Sequence, residues 1–418
     1  MKKPTVSVIV VSQGRAELLQ LCLTGIGQLY YPNFEIIVVA DPAGVAAVQG
    51  MGLNKRIKIV PFEEMNISAA RNAGIAVAAG DVVAFIDDDA VPEPTWLTHL
   101  MEPFEDKRIS AAGGFVRGRN GISYQWMANL MDKTGKNIPL DILDTSYFAP
   151  SPPRGGAVKT EGTNCAFRRK ELLSLGGFDP VYRFFHDESD LNMRIGRAGL
   201  KTALVPLAQV HHGYAPSDRR SADRAPTSLH EIGASTMVFL RKYAESDQIT
   251  PALERFKAEQ RARLVKHMVS GGLEPREIEM LMDDLLDGLK DGEKRQLDTL
   301  IGLKPTKSAF LPFTREDATG EALSLAGRWG NYKGLAYRAT QKVAEGNVVT
   351  IYHLSPTTLF HHVRFTKDGF WQQSGGIFGR SHRQEPLFQF TRFRQRAARE
   401  RLRVASVRQN AENIPHTG

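Results

Sequence analysis

Three consecutive aspartates follow an apolar stretch in the segment AFIDDDAVPEPTWL, at residues 84–97. Carboxylates at this spacing repel one another, so the cluster requires a cation or a hydrogen-bond network that compensates its charge. Asp87 and Asp89 can share a divalent cation, and hard ions such as Mg²⁺ or Mn²⁺ complete their coordination with phosphate oxygens and water. A solvated acidic loop before a Pro-rich turn is the alternative interpretation of these three residues.

Apolar segments alternate with helical segments through the first 90 residues, which indicates strands and helices in turn. The helix predicted at residues 68–80 has Ser68 as its expected N-cap. Continuous apolar strands separated by helices indicate an α/β fold with a parallel sheet covered on both faces, and ligands of such sheets lie beyond the carboxyl ends of the strands. We therefore expect Asp41 and the three aspartates, which all end predicted strands, at one binding crevice. The predicted strands are 6–11, 34–41, 57–62 and 81–89.

Composition indicates a globular chain of 418 residues with a formal net charge of +8. Nine arginines against two glutamates lie at residues 380–408, so the rest of the chain is nearly neutral. This basic end suits either contact with anionic lipid headgroups or a phosphorylated partner, or the solvated face of a terminal helix. No stretch is apolar enough to span a membrane and the N-terminus does not resemble a signal peptide. We expect no nucleic-acid partner, and a cytoplasmic protein that can lie against the inner face of a membrane.

Three regions are predicted along the chain. Residues 1–220 form the α/β domain, residues 221–345 are helical by period and composition, and residues 346–418 form a mixed, basic extension without an assigned role.

Five segments of the first region together resemble the inverting glycosyltransferases of family 2, whose nucleotide-binding fold is of the GT-A type. The resemblance covers about residues 4–215, and each segment is weak alone but occurs here in the order and at the spacing of the family. It implies a mostly parallel, Rossmann-like sheet flanked by helices, followed by a mainly helical C-terminal region. The segments are VSVIVVSQGR, FEIIVVAD, SAARNAGIAVAAGDVVAFIDDDAVPEPTWL, GTNCAFRRKELLSLGGFD and HDESDLNMRI.

The resemblance implies roles for the residues around the nucleotide. Asp41 matches the position that hydrogen-bonds the base, although a turn aspartate is the alternative. Arg71 matches a basic residue near the nucleotide, although a surface arginine on a helix would have the same pattern. Asp87 and Asp89 match the metal and diphosphate motif, with Asp89 as the better ligand and Asp87 nearer the ribose, while Asp88 supports the turn.

Two further positions follow from the same resemblance. Asn164 in GTNCAFRR lies in a loop that borders the donor sugar and acceptor, where it either bonds a sugar hydroxyl or belongs to a structural turn. His211 and His212 follow a predicted strand at a place where some family members present a histidine to the metal. Their spacing favours His212, and an exposed histidine pair is the alternative.

An acidic pair, Asp187 and Glu188, matches the position of the catalytic base just before the DL..R motif. The order here is Asp then Glu, whereas Glu then Asp is commoner, and counting back from Asp190 puts Glu188 at the base position. The chemistry needs a carboxylate that takes a proton from an acceptor hydroxyl while its oxygen attacks the anomeric carbon. A helix N-terminus that favours negative charge is the alternative explanation of the pair.

The expected function is metal-dependent inverting transfer of a sugar from a nucleotide-diphosphate sugar to a hydroxyl of a glycan or lipid-linked acceptor, in cell-envelope polysaccharide biosynthesis. Mg²⁺ or Mn²⁺ is the expected cofactor. A sugar-1-phosphate nucleotidyltransferase would carry a Gly-rich loop with basic residues near its N-terminus, which SQGRAE fits poorly. A non-catalytic binding or scaffold protein would lack the aspartate cluster or the acidic pair, and both are present. Ser12 and Gln13 depart from the family pattern and leave the nucleotide open.

Overall fold

The computed structural model describes residues 3–142, 144–213, 220–221, 224–314 and 321–408. Its strands are β1 (Val6–Ser12), β2 (Phe34–Ala40), β3 (Lys58–Pro61), β4 (Val82–Asp87), β5 (Ala90–Pro92), β6 (Ile109–Arg117), β7 (Tyr124–Trp126), β8 (Asn129–Met131), β9 (Asn137–Pro139), β10 (Ala157–Lys159), β11 (Cys165–Arg168), β12 (Lys201–His212), β13 (Ala322–Arg328), β14 (Val348–Ser355), β15 (His362–Phe365) and β16 (Trp371–Gly376). Its α-helices are α1 (Ala16–Ile26), α2 (Pro42–Gly50), α3 (Ile67–Ile75), α4 (Trp96–Met101), α5 (Arg169–Ser174), α6 (Asp187–Arg197), α7 (His230–Tyr243), α8 (Ser246–Val269), α9 (Pro275–Lys294), α10 (Tyr332–Ala344), α11 (Phe393–Arg403) and α12 (Ala405–Arg408).

Nine of the described strands form the main sheet, in the order β3-β2-β1-β4-β11-β6-β12-β5, with β7 paired to β6. The pairs β2–β3, β1–β2, β1–β4 and β6–β12 are parallel. β11 lies antiparallel between β4 and β6. This mostly parallel sheet flanked by helices confirms the predicted α/β fold class.

The alternation of side chains along β1 divides its residues between two hydrophobic cores, because successive strand residues point to opposite faces of the sheet. Val8 and Val10 pack with Leu19 of α1 on one face. Ile9 packs on the other face, in the core that α3 and α6 also cover, with Phe85 of β4. The carboxyl ends of β1, β2 and β4 therefore meet at one edge of the sheet with helices on both sides.

Helix α3 begins one residue earlier than predicted and ends sooner. Its N-cap is Asn66, whose side-chain oxygen accepts a hydrogen bond from the amide of Ala69 at 3.1 Å. The predicted N-cap, Ser68, is wrong: this residue is already helical, and its hydroxyl donates to the carbonyl of Tyr182 at 2.7 Å. Asn66 has the extended backbone that a capping residue adopts, which explains why the helix starts after it.

Strand β12 runs through Pro206 because a bulge lets the chain pass the proline without ending the strand. The register with β6 shifts between Val205 and Gln209. Proline is tolerated at such an irregularity because it has no amide hydrogen to donate to a neighbouring strand. The strand therefore continues to His212, at the edge where β5 begins.

Helices α7, α8 and α9 lie in the region that was predicted to be helical. Helices α7 and α9 approach closely because glycines face backbone at their contact: a Cβ on Gly288 would lie 2.0 Å from the carbonyl oxygen of His230. No helix in the described part of the chain is long and apolar enough to cross a membrane.

A second, four-stranded sheet follows α9, in the order β13-β14-β16-β15. β13 lies in the region that was predicted to be helical, which corrects that prediction, and the other three strands lie in the predicted mixed extension. β13 and β14 are parallel and are joined through α10. The predicted boundary near residue 345 falls between two paired strands, and we propose that the C-terminal unit begins before Ala322.

Two of the nine arginines in the Arg-rich C-terminal segment, Arg396 and Arg408, are buried against this unit rather than exposed on a solvated helix. Arg396 and Glu400 are buried, with their charged groups 3.1 Å apart, and Arg403 also pairs with Glu400 at 2.9 Å. Arg408 is buried as well. The segment is therefore an integral part of the fold.

Candidate active site

The aspartate turn lies between β4, which ends at Asp87, and β5. Asp88 is buried, accepts a hydrogen bond from the hydroxyl of Ser12 at 2.7 Å and pairs with Arg15 at 2.8 Å. Burial raises the pKa of Asp88 to about 7, although Arg15 opposes the effect. The guanidinium of Arg15 also lies 3.7 Å from Asp89. Arg15, which the sequence analysis did not identify, thus compensates part of the repulsion among the aspartates.

Asp87, Asp89 and His212 each offer one ligand atom within 4.8 Å of the others. The strand pairing explains this: β5 follows the aspartates directly and runs antiparallel to the end of β12, so His212 lies opposite Ala90. In addition, the amide of Gly213 donates to the carbonyl of Asp89 at 2.6 Å. Two carboxylates and one imidazole suit a divalent cation with affinity for both oxygen and nitrogen, so the residues fit the predicted metal.

A second cluster with metal-ligand spacing occurs in the described chain, formed by His230, Glu231 and Asp291. Arg295 pairs with Glu231 at 2.9 Å and with Asp291 at 2.7 Å. The arginine neutralises both carboxylates, so this cluster is explained as an ion-pair network between α7 and α9.

Arg71 of α3 connects the aspartate turn to the acidic pair. Its buried guanidinium pairs with Asp187 and lies 3.4 Å from Asp87, and it donates to the carbonyl of Gly162 at 3.2 Å. Burial would lower the pKa of Arg71, but Asp187 and Asp87 together raise it above its usual value. The predicted nucleotide-site arginine therefore lies between both predicted acidic motifs.

The acidic pair begins α6 directly after a strained backbone corner. Phe185 and His186 have φ angles of 70° and 66°, in the left-handed region that non-glycine residues rarely adopt. Each such residue typically costs about 1–3 kcal/mol and persists only where the surroundings enforce it. The corner turns the chain so that Asp187 and Glu188 occupy the first turn of α6 with Asp187 directed at Arg71.

Glu188 is half-buried beside a pair of charged residues that the sequence analysis missed. Lys159 and Glu161 lie 3.3 Å apart at the end of β10. Burial would raise the pKa of Glu188, but Lys159 and Arg71 hold it below its usual value. Burial also raises the pKa of Glu161 to about 7. The charged residues directly before the GTN motif were the available signal for this pair.

Asp190 anchors helix α6 and explains the DL..R motif in structural terms. Its carboxylate pairs with Arg194 at 2.8 Å and accepts a hydrogen bond from the hydroxyl of Tyr243 at 2.7 Å, and Lys242 is a third partner. Two of these partners belong to α7. The helical region therefore holds the acidic pair in place.

Asp41 connects the ends of two parallel strands. One oxygen accepts the amide of Gly44 at 2.8 Å and caps α2, and the other accepts the amide of Gly14 at 2.8 Å. The residue thus lies at the predicted sheet edge, and its contact with a nucleotide base stays a prediction.

Asn164 has a structural role, which corrects the expected sugar contact. The residue is fully buried, and its amide donates to the carbonyls of Phe115 at 2.9 Å and Ala208 at 2.8 Å. Its side-chain oxygen accepts the indole N–H of Trp96 at 2.8 Å. Both amide hydrogens and the carbonyl oxygen are therefore used within the core.

The C-terminal segment reaches the sheet edge that carries Asp89 and His212 through a buried ion pair. Arg408 donates to both carboxylate oxygens of Glu93, at 2.7 and 2.8 Å, and its guanidinium lies 4.1 Å from the centroid of Trp371. Glu93 follows β5 and contacts His211 at 2.7 Å. Arg408 therefore holds His211, the neighbour of His212, through Glu93. No sequence motif indicated this link.

A cavity of about 210 Å³ is lined both by residues near Asp89 and His212 and by residues of the C-terminal sheet. Its lining includes Asp89 and His212, Arg119 in the loop after β6, and Arg364 of β15. The C-terminal unit thus forms one wall of the site.

Comparison with known proteins gives a family match for the same part of the chain. Residues 7–175 match the model of glycosyl transferase family 2. The chain is 24% identical over 232 residues to the O-antigen biosynthesis protein RfbC of Myxococcus xanthus, covering 52% of this chain and 18% of that protein. It is 27% identical over 126 residues to the glucosyl-dolichyl phosphate glucuronosyltransferase of Haloferax volcanii, covering 28% of this chain and 36% of that protein. The matches thus span well under two thirds of either relative.

Among solved structures, the chain is similar to the mannosyltransferase PcManGT from Pyrobaculum calidifontis in complex with GDP-Man and Mn²⁺. The two chains are 16% identical with a TM-score of 0.43, covering 71% of this chain and 89% of that one.

Proposed function

We propose that this chain, whose residues 7–175 match the model of glycosyl transferase family 2, transfers a sugar from a nucleotide-diphosphate sugar to an acceptor hydroxyl with inversion. The observation that carries the proposal is the position of Arg71, which pairs with Asp87 on one side and with Asp187 on the other. The arginine therefore brings the cation ligands and the acidic pair into one cleft. That proximity is what an in-line displacement at a diphosphate-activated sugar requires.

Glu188 is the general base of the proposed reaction. Asp187 forms an ion pair with Arg71. Lys159 and Arg71 hold the pKa of Glu188 below its usual value, so Glu188 is ionised at neutral pH. Glu188 takes the proton of the acceptor hydroxyl while that oxygen forms the bond to the anomeric carbon. The bond to the diphosphate oxygen breaks with its electron pair on the leaving nucleotide.

A cation held by Asp87, Asp89 and His212 would stabilise the negative charge of the departing diphosphate. The mixed oxygen and nitrogen ligands favour Mn²⁺ over Mg²⁺, because imidazole is a poor ligand for Mg²⁺. Asp41 would contact the base at the ends of β1 and β2, and Arg71 would face the donor. Asp88 positions the turn through Ser12 and Arg15.

The acceptor class is a hydroxyl on a glycan or on a lipid-linked sugar, in cell-envelope polysaccharide biosynthesis. Two curated relatives support this part of the proposal by name, an O-antigen biosynthesis protein and a transferase that acts on glucosyl-dolichyl phosphate.

The test is donor binding and donor hydrolysis with UDP-, GDP-, dTDP- and CMP-sugars, in Mn²⁺ or in EDTA. Asp89→Ala should weaken the binding of one donor class and remove its metal dependence. Glu188→Gln should bind that donor normally but lose turnover by about 10²–10⁴-fold. The exposed residues Asp283 and Glu279 of α9 provide the matched controls Asp283→Ala and Glu279→Gln. Absence of donor binding in the unmodified protein, or full turnover in Glu188→Gln, would contradict the proposal.

A further inference from the structure

Large apolar side chains are exposed at the far end of the C-terminal unit. We define the aromatic face as Leu359, Phe360, Leu387, Phe388 and Phe390. Their side chains are between 56% and 88% exposed. Single exposed apolar residues are ordinary on a protein surface, whereas contiguous ones mark a surface that another molecule covers.

The members of the aromatic face form one surface although they come from separate loops. The amide of His361 donates to the carbonyl of Arg380, and the amide of Gln389 donates to the carbonyl of Phe378, both at 3.0 Å. The ring of Phe378 stacks on Phe388 with a centroid distance of 5.6 Å and lies 6.5 Å from the ring of Phe390. Hydrogen bonds and ring contacts therefore hold the loops side by side.

Positive charge surrounds the aromatic face. Arg383, Arg392 and Arg394 are exposed, and none of them pairs with a carboxylate in the described residues of the chain. Arg380 lies 4.4 Å from the centroid of the Phe360 ring. The two glutamates of this segment do not compensate the exposed arginines, because both point their charge into the fold: Glu400 is buried, and Glu385 accepts the amide of Ser381 at 2.7 Å.

We propose that the aromatic face binds the surface of an anionic lipid membrane, with Phe388 and Phe390 among the acyl chains and Arg392 and Arg394 at the headgroup phosphates. Apolar rings bordered by unpaired arginines are the combination that an anionic bilayer surface attracts. A second copy of the chain would bring the same arginines together and would be repelled. The buried pair of Arg396 and Glu400 anchors the segment, so the face is pre-formed.

This inference is independent of the proposed chemistry, but it would bring the site to acceptors that are carried in a membrane. Removing the segment is not a suitable test, because Arg396, Glu400 and Arg408 belong to the fold. Point substitutions on the full chain are required instead.

The experiment is flotation of the full chain with vesicles of phosphatidylcholine, alone or mixed with phosphatidylglycerol. The unmodified protein should float with the anionic vesicles and remain unbound with the neutral ones. Phe388→Ser/Phe390→Ser should lower the partition coefficient by about 100-fold or more, since two rings leave the bilayer. Arg392→Glu/Arg394→Glu should lower it at least 25-fold, at about fivefold for each arginine.

Matched controls use exposed residues outside the aromatic face. Ile301→Ser removes an exposed apolar side chain, and Arg261→Glu/Lys266→Glu reverses two charges on α8. Both controls should bind vesicles as the unmodified protein does, and all variants should keep its unfolding temperature. Failure of the unmodified protein to float, or equal loss in the controls, would overturn the proposal. A dimer in sedimentation that the phenylalanine variant abolishes would assign the face to a second copy instead.

Discussion

The ion pair between Arg408 and Glu93 has a stability contribution that follows from the structure. Glu93 is fully buried; burial alone would raise its pKa, but Arg408 and His211 lower it from the ordinary 4.5 to about 2. A difference of about 2.5 in pKa corresponds to about 3 kcal/mol at neutral pH. Breaking a buried pair by removing one partner costs about 3–5 kcal/mol. Arg408→Ala should therefore lower the free energy of unfolding by about 3 kcal/mol at pH 7.

The assay is urea unfolding of Arg408→Ala, Glu93→Gln and the double variant. Because the double variant leaves no unpaired charge, it should be less destabilised than the sum of the single variants, with a coupling of about 2 kcal/mol. Arg401→Ala, at an exposed position of the same segment, should change stability by less than about 0.5 kcal/mol.

The stability contribution of the pair between Arg408 and Glu93 depends on pH. The folded pKa of Glu93 lies below its unfolded value, so the pair stabilises the fold fully above about pH 4.5 and loses this contribution as the pH falls towards 2. The difference in stability between the unmodified protein and Arg408→Ala should shrink over this window.

The same substitution should reach the proposed metal site, because Glu93 holds His211 next to His212. Residues that hydrogen-bond a metal ligand directly commonly change metal affinity by about 10–100-fold, and Glu93 acts on the neighbour of such a ligand. We expect Mn²⁺ to bind Arg408→Ala more weakly by about tenfold, measured by titration of the folded variant. A coupling near zero, together with unchanged Mn²⁺ affinity, would refute the reasoning.

Three further predictions concern the site. Asn164→Ala removes three buried hydrogen bonds and leaves the indole N–H of Trp96 unpaired. Thermal unfolding should therefore show a free energy of unfolding that is lower by about 3 kcal/mol, with unchanged donor affinity. A weaker donor affinity without destabilisation would support the sugar contact instead. A Cβ on Gly162 would lie 2.7 Å from the Arg71 guanidinium. Gly162→Ala should therefore displace Arg71 from Asp87 and Asp187 and lower kcat. Unchanged kinetics would mean that Arg71 can shift without loss of activity. Asp41→Ala removes the N-cap of α2, so it should lower the free energy of unfolding by about 1 kcal/mol, and it should also weaken nucleotide binding. Normal nucleotide affinity would mean that Asp41 only caps the helix.

Local sequence patterns carried much of the architecture of the first domain. The continuous apolar runs of β1 and β2 predicted a covered, mostly parallel sheet, because burial on both faces demands such runs. The position of Asp87 at the end of β4 followed from the same logic, since the apolar run ends where the strand leaves the core. The Ser68 cap was wrong because a cap depends on which of several polar residues adopts extended backbone, here Asn66.

Contacts between distant segments were decided only by the tertiary structure. His212 meets Asp89 because β5 pairs with the end of β12, and Arg71 meets Asp187 across 116 residues of sequence. The same holds for Arg408, which reaches Glu93 across 315 residues. Sequence by itself determined which side chains end the strands and could do chemistry, because burial and periodicity are local. Which of them face one another was decided by long-range pairing, and no periodicity encodes that pairing.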